Sequence, residues 1–258
     1  MQLLISAIIW DEQLQSAMKQ VELIPLAQQL GCCGVEFRPY WKNMQEELLE
    51  IKESLIKNNL ICTYASYEGL LADSEEATRR VLDSLRENVK IADALGTKIL
   101  RLNIACGPFN PTFIQTEWWQ EAIRQVLMLA ASMDIILAVE NGPDPRKSDV
   151  QLLQNILTAV NSPNLRLTYD TANWLYGSSQ PEQALDSLQD YIGYVHLKDI
   201  LLEQGTLKHS FLGTGLVDVK SLALRIKQSG YSGPYALEFP GGDNPIERIH
   251  RSIKYLGI

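Results

Sequence analysis

The sequence predicts an α/β protein with a parallel sheet, and a single closed (β/α)8 barrel over residues 1–258 is the simplest arrangement. Strand-like apolar runs alternate with helix-like segments along the chain, and no linker, low-complexity tract or charge block interrupts them. The length of 258 residues is close to that of one such barrel, and 46% hydrophobic residues can fill its core. A doubly wound open sheet is the alternative, although no GxGxxG motif follows the first strand.

Eight strand-like runs appear in order, and each is followed by a segment with helical character. The strands are LLISAIIW from residue 3, GVEFRPYW from 34, ICTYASYEG from 61, KILRLNIACGP from 98, IILAVEN from 135, LRLTYD from 165, YVHLKDI from 194 and YALEF from 235. The first helix-like segment ends at Gly31, the third runs from the cap Ser74 to Gly96, and Pro181 suits the first turn of the sixth. A longer loop, residues 201–215, follows the seventh strand and is predicted to be either a lid or an ordinary connector.

The charge and the cysteine content exclude several classes of partner and location. The net charge of -8, with a pI near 5.0, argues against a polyanion such as DNA as the main partner. The four cysteines show no CxxC spacing, which indicates reduced thiols. There is no signal-peptide pattern, and no run approaches the roughly 20 apolar residues of a membrane span. We therefore expect a cytoplasmic protein with no nucleic-acid or membrane partner, and the sequence leaves a homo-oligomer open.

Four residues of metal-ligand type stand at the downstream ends of four successive strands. They are Glu140, Asp170, His196 and Glu238. In (β/α)8 barrels the carboxyl ends of the strands carry the active site, so these side chains are predicted to converge there. Three carboxylates and one imidazole favour a hard or borderline divalent cation.

Strand alternation places further polar side chains in the inward phase. Arg101 on the fourth strand and Lys198 beside the seventh share this phase, as do Glu36 and Arg38 on the second. Inward polar groups cost desolvation energy unless they are paired or bind a ligand, which favours a site. For Glu36 and Arg38 two interpretations stay open: an ion pair across the barrel mouth, or contact with a ligand.

Taken singly, each residue also has a structural interpretation. A carboxylate at a strand end is often a helix cap or a surface group, and His196 alone could be a hydrogen-bonded core residue. Cys106 lies at a strand end without a histidine nearby in sequence and is interpreted as structural. His209 in the long loop and His250 in the last helix show no ligand spacing. Only the repetition over four strands favours a site.

Five motifs carry a resemblance to a known family. VEN, YDTANW, VHLKD, LGTGLVDV and ALEF, in this order, resemble the xylose-isomerase-like TIM-barrel superfamily, which holds sugar and sugar phosphate isomerases and epimerases, inosose dehydratases and apurinic-site nucleases. Within it, GVEFRPYW, AVENGP, YIGYVHLKD and ALEFPGGDN are most similar to epimerases of 2-ketogluconate utilisation. The resemblance implies that Glu140, Asp170, His196 and Glu238 hold one divalent ion, Mn²⁺, Mg²⁺ or Co²⁺, with Zn²⁺ also admitted.

The same resemblance implies an isomerase or epimerase that acts on a keto sugar or keto sugar acid through an enediolate. Glu140 and Glu238 would then move protons on opposite faces of the substrate. The residues expected to bind substrate are Arg38, Arg101, Asn173 and Lys198. Two alternatives stay open: a metal-dependent dehydratase of the inosose or dehydroshikimate type, and a non-catalytic carbohydrate-binding barrel.

The chain also departs from its relatives. The apurinic-site nucleases carry extra histidines for a multinuclear zinc site, whereas here Asn173 stands three residues after Asp170 and LGTGLVDV has no histidine. Epimerases of free ketohexoses commonly have a histidine at the Asn173 position too. The loop after Glu140 reads NGPDP, where many relatives have Asn-His. These differences argue against a nuclease and against a simple copy of the ketohexose enzymes.

Overall fold

The computed structural model describes residues 1–257 and confirms the predicted (β/α)8 barrel, which eight parallel strands close. The strands are β1 (Gln2–Ser6), β2 (Gly34–Phe37), β3 (Ile61–Ala65), β4 (Ile99–Asn103), β5 (Ile136–Glu140), β6 (Leu165–Asp170), β7 (Ile192–Leu197), β8 (Asp199–Glu203), β9 (Thr206–Ser210) and β10 (Pro234–Leu237). The hydrogen-bonded order around the barrel is β1-β10-β7-β6-β5-β4-β3-β2, and β8 and β9 form a separate two-stranded sheet.

Helices follow the barrel strands as the sequence predicts. They are α1 (Asp11–Gln15), α2 (Leu23–Gln29), α3 (Met44–Asn58), α4 (Glu75–Leu95), α5 (Glu117–Ser132), α6 (Val150–Val160), α7 (Pro181–Leu188), α8 (Val219–Gln228) and α9 (Pro245–Leu256). Within residues 1–257, none of the helices combines the length and apolar character that crossing a membrane requires.

Contacts between residues divide the chain into two compact units. The first comprises Met1–Cys62, Asp170–Ala172 and the chain from Val195 onward, and in it β1 pairs with β2 and β10, and β10 with β7. The second comprises Thr63–Tyr169 and Asn173–Tyr194, and in it β4 pairs with β3 and β5, and β5 with β6. Each unit buries the apolar phase of its own strands.

Helix α4 shows why the sequence signals for helix boundaries are reliable here. Ser74 accepts a hydrogen bond from the Ala77 backbone N–H, and Gly96 ends the helix with a φ of +77°, a conformation that glycine adopts without strain. Its buried positions recur three or four residues apart, as an amphipathic helix requires. Both boundaries agree with the sequence prediction.

The first helix-like segment is not one helix, as the sequence pattern suggests, but two short ones. The Glu22 carboxylate accepts a hydrogen bond from the backbone N–H of Lys19 at 2.7 Å, and this contact begins a new turn that leads into α2. The predicted stop is confirmed, because Gly31 follows α2 with a φ of +72°.

The long segment after the seventh strand is a β-hairpin rather than a loop. β8 and β9 pair antiparallel, with Ile200 opposite His209 and Glu203 opposite Thr206. The two residues of the turn, Gln204 and Gly205, both have positive φ, as a tight hairpin turn of type I′ requires. The hairpin therefore fixes side chains that the sequence prediction left on an irregular segment.

One buried carboxylate anchors the base of this hairpin. Asp199 is fully buried, and its carboxylate accepts hydrogen bonds from the backbone N–H groups of Ile200, Thr214, Gly215 and Val217 at 2.7–3.1 Å. A Cβ atom at Gly215 would lie 2.4 Å from Asp199 Oδ1, so this close approach requires glycine. Asp199 thus ties the start of β8 to the segment that leads into α8.

Replacing Asp199 by Asn should destabilise the protein by about 2–3 kcal/mol, because a charged acceptor of several backbone hydrogen bonds is lost and the new amide NH₂ faces N–H donors. The shift of the urea unfolding curve measures this loss. Asp243→Asn, the same change at an exposed position, should alter stability by less than about 0.5 kcal/mol. Equal shifts for the two variants would contradict the anchoring role of Asp199.

Candidate metal centre

The structure brings together the four ligand-type residues that the sequence singled out. Glu140 and Asp170 are the last residues of β5 and β6, His196 lies near the end of β7, and Glu238 directly follows β10. All four are buried, and each offers one ligand atom such that these atoms lie within 4.8 Å of one another. A buried group of three carboxylates and one imidazole at this spacing could hold a metal ion.

Lys198 lies between two of these carboxylates. Its Nζ atom is 3.0 Å from Asp170 Oδ2 and 2.5 Å from Glu238 Oε2, and its side chain is buried. Burial acts to lower the pKa of Lys198, but the Asp170 and Glu238 carboxylates outweigh it and raise the pKa above its ordinary value. The lysine is therefore a charged ammonium that neutralises part of the carboxylate charge.

Arg38 pairs with two carboxylates of the first unit. Its Nη2 atom donates to Glu36 Oε1 at 3.1 Å and also to the Glu238 carboxylate. Glu36 and Arg38 therefore form an ion pair, which is one of the two interpretations that the sequence left open. In the second unit, Arg101 pairs in the same way with the Glu140 carboxylate and also donates to the Ser66 carbonyl.

Glu36 holds the imidazole of His196 in one orientation. His196 Nε2 lies 2.6 Å from Glu36 Oε2, while Ser6 Oγ donates to Glu36 Oε1 at 2.6 Å. Burial acts to raise the pKa of Glu36, but His196 and Arg38 outweigh it and keep the pKa below its ordinary value, so the carboxylate is ionised. Since an ionised carboxylate only accepts, His196 Nε2 carries a proton and donates it to Glu36.

The other ring nitrogen of His196, Nδ1, faces the ligand group. Nδ1 lies 3.6 Å from Glu238 Oε2. A carboxylate behind a ligand histidine commonly fixes its tautomer and its orientation in this way. Sequence reasoning considered Glu36 only as a partner of Arg38 or of a ligand and missed its contact with His196. The inward phase of Glu36 on β2 was the available signal, but it does not name a partner.

Asn173 supports a neighbouring loop. It is buried in a short 3-10 turn, its Nδ2 atom donates to the Asn141 carbonyl at 2.8 Å, and its own carbonyl accepts from Ser148 Oγ at 2.7 Å. These contacts link the turn after β6 to the loop that follows Glu140 within the second unit. The predicted contact of Asn173 with substrate stays a prediction.

The charges of the first unit fit a divalent cation. The three carboxylates of Glu36, Asp170 and Glu238 face the two cations Arg38 and Lys198, so these five side chains carry one net negative charge. Buried charges of this kind are tolerated only when they are paired or bind an ion. A divalent ion would reverse the sign to one net positive charge. The donor set and the charge are therefore both compatible with such an ion.

Replacing Lys198 by Met should destabilise the metal-free protein by about 3–5 kcal/mol, because the buried Asp170 and Glu238 carboxylates lose a counter-charge. Urea unfolding in the presence of a chelator measures the effect. Lys208→Met is the matched control, since Lys208 pairs with Glu203 at the exposed part of the hairpin and should contribute less than about 1 kcal/mol. If the two variants unfolded at the same urea concentration, Lys198 would not be compensating buried charge.

Comparisons with known proteins agree with this fold. The sequence model of the xylose isomerase-like TIM barrel matches residues 24–257. The L-ribulose-5-phosphate 3-epimerase UlaE of Escherichia coli K12 is 24% identical over 244 residues, which are 89% of this chain and 85% of that protein.

Two solved structures extend the likeness over the chain. The IOLI protein with a bound zinc atom superposes with a TM-score of 0.79 at 15% identity, covering 100% of this chain and 98% of that one. The 3-keto-D-glucoside 4-epimerase YcjR of E. coli superposes with a TM-score of 0.78 at 16% identity, covering 100% and 99%. With the family match spanning nearly all of its length, the chain belongs to the xylose isomerase-like TIM barrel family.

Proposed function

We propose that this protein is a divalent-metal-dependent sugar isomerase or epimerase that acts on a keto sugar or keto sugar acid through an enediolate. The observation that carries the proposal is the buried group formed by Glu140, Asp170, His196 and Glu238, whose ligand atoms lie within 4.8 Å of one another. The names of two similar proteins, L-ribulose-5-phosphate 3-epimerase and 3-keto-D-glucoside 4-epimerase, support a sugar epimerase.

The proposed ligands are the three carboxylates and the Nδ1 atom of His196, with Mn²⁺, Mg²⁺, Co²⁺ or Zn²⁺ as the ion. When bound, the ion supplies Lewis acidity toward a ketose carbonyl and its neighbouring hydroxyl. Glu36 acts behind His196 and holds the ring with its proton on Nε2. The relation to a protein crystallised with zinc supports metal binding but does not select the ion.

Proton transfer is assigned to Glu140 and Glu238. One carboxylate takes the proton from the carbon next to the carbonyl, and the electron pair of that C–H bond moves into the enediolate. The other, as the carboxylic acid, returns a proton to the opposite face of this carbon, which inverts its configuration. Return of the proton to the former carbonyl carbon would instead move the carbonyl group by one position, which interconverts a ketose and an aldose when the proton is taken from C1. Arg38, which pairs with Glu238, and Arg101, which pairs with Glu140, hold the two carboxylates in place.

An anionic substrate suits the charge of this site. Arg38 and Lys198 are buried cations beside the proposed ligands, and a divalent ion would leave their group with one net positive charge. A sugar carboxylate or phosphate could then pair with one of the two cations, together with Arg101. We therefore favour a small anionic sugar over a neutral one, and we propose no nucleic-acid partner because the chain carries a net charge of -8.

The metal proposal predicts that saturating Mn²⁺ raises the melting temperature, since binding to the native state stabilises it. Asp170→Ala should abolish this increase by removing a ligand, and Glu36→Gln should weaken Mn²⁺ binding by about 10–100-fold by releasing His196. Calorimetric titration measures the affinity. Asp93→Ala, an exposed change on α4, serves as control and should bind Mn²⁺ like the wild type. Unchanged binding by Asp170→Ala would place the ion elsewhere.

The reaction itself predicts exchange of a carbon-bound proton. In D₂O with Mn²⁺, the enzyme should introduce deuterium next to the carbonyl of L-ribulose 5-phosphate, 2-ketogluconate or D-allulose, as NMR or mass spectrometry would show. Glu140→Gln and Glu238→Gln should each slow exchange about 100-fold or more, because an acid–base group is lost. Their Mn²⁺ affinity must be measured first, since both residues are also proposed ligands. Glu182→Gln on the exposed side of α7 should exchange at the wild-type rate.

Other outcomes of this experiment point to the alternative functions. Net loss of water with a rise in ultraviolet absorbance, on an inosose or on dehydroshikimate, would indicate a dehydratase. Sugar binding without exchange or conversion, in protein that holds metal, would indicate a carbohydrate-binding barrel.

A further inference from the structure

The hairpin carries a histidine, His209, that no sequence pattern places near the site. His209 lies on β9 directly opposite Ile200, which is fully buried, so these two side chains share one face of the hairpin. The His209 side chain is partly buried, whereas its neighbours Lys208 and Thr206 on the other face are exposed. Both faces are buried at the base of the hairpin and exposed near its turn, so His209, next to the buried Ser210, belongs to the buried base. Ser210 in turn pairs with Asp199, the residue after Lys198.

The electrostatic surroundings of His209 are those of the candidate metal centre. Burial lowers the pKa of His209, the Lys198 ammonium lowers it further, and the Asp170 and Glu238 carboxylates act in the opposite direction. The charges that act on the imidazole thus belong to the lysine and to two proposed metal ligands. A neutral imidazole offers one N–H donor and one acceptor nitrogen.

The position of His209 is set by β8, which begins directly after Lys198 and pairs with β9. β7, which carries His196, ends one residue before Lys198, and β8 begins immediately after it. Asp199 then anchors the base of the hairpin through four backbone hydrogen bonds. His209 is held by the ladder between β8 and β9, so its ring is carried on a regular element rather than on a loose loop.

We propose that His209 is a substrate-binding residue, whose imidazole forms a hydrogen bond with a hydroxyl or carbonyl oxygen of a sugar held at the candidate metal centre. This inference rests on the proposed function for the identity of the ligand. The hairpin is then part of the binding site, and its buried base supplies a polar contact from outside the barrel strands. The ring recognises a sugar oxygen by hydrogen bonding, and the anionic group is left to Arg38 and Lys198.

The first test follows the histidine signals directly. The chain has three histidines, so protein with ¹³C-labelled imidazole rings gives few signals, which His209→Gln and His250→Gln assign. The protein is loaded with Mg²⁺ and titrated with L-ribulose 5-phosphate, 2-ketogluconate and D-allulose. We expect the His209 signal to shift with at least one sugar, while that of His250 on the exposed face of α9 stays in place.

The second test is kinetic. His209→Ala should raise KM about five- to tenfold, the value of one neutral hydrogen bond, with a smaller change in kcat and unchanged Mg²⁺ affinity. His209→Gln keeps a donor and should recover part of this loss. Lys208→Ala changes the adjacent, exposed residue and should leave KM as in the wild type.

The outcomes separate this inference from the proposed function. If exchange proceeds but the His209 signal does not move and His209→Ala keeps the wild-type KM, the inference is wrong and the proposed function stands. If sugars shift the His209 signal without any exchange, the inference holds and the catalytic proposal is wrong. If no sugar shifts the signal and no exchange occurs, both are overturned.

Discussion

The compensation of buried charge is the constraint on which the rest of the site depends. Asp170 and Glu238 are held at strand ends where water has little access, and an isolated carboxylate there would cost several kcal/mol. Lys198 pairs with both of them, and Arg38 pairs with Glu238. Since removing any one partner leaves another charge uncompensated, these side chains act as a set.

The same constraint explains the orientation of the His196 ring. A fully buried Glu36 is kept ionised by Arg38 and His196, and Ser6 donates a further hydrogen bond to it. An ionised Glu36 holds a proton on Nε2, so Nδ1 is the nitrogen that faces Glu238. The charge balance on β2 thereby sets which nitrogen His196 presents on β7, and with it the donor set that the proposed function requires.

The hairpin after β7 extends this arrangement beyond the barrel strands. The Asp199 carboxylate accepts four backbone hydrogen bonds, which hold the start of β8, directly after Lys198, in place. β9 pairs antiparallel with β8 and brings His209 to a place where the charges of Asp170 and Glu238 act on its imidazole. A site formed by strand ends thus acquires an additional polar group from an element that is anchored by buried charge.

The sequence by itself determined the barrel and the set of four ligand-type residues. Apolar runs of strand length alternate with amphipathic helices, and parallel topology brings all strand ends to one side, so position along each run is sufficient to group Glu140, Asp170, His196 and Glu238. Helix caps such as Ser74 were also predictable from the sequence, because a helix boundary depends on residues close in sequence.

Only the tertiary structure decided which groups meet. Glu36 contacts His196 across 160 positions of sequence, and Arg38 contacts Glu238 across 200, so no local pattern could pair them. The hairpin was missed because its strands are partly exposed and lack a continuous apolar run, and without it His209 shows no ligand spacing. Side-chain pairing depends on strand register and on the compensation of buried charge, and both are properties of the folded chain.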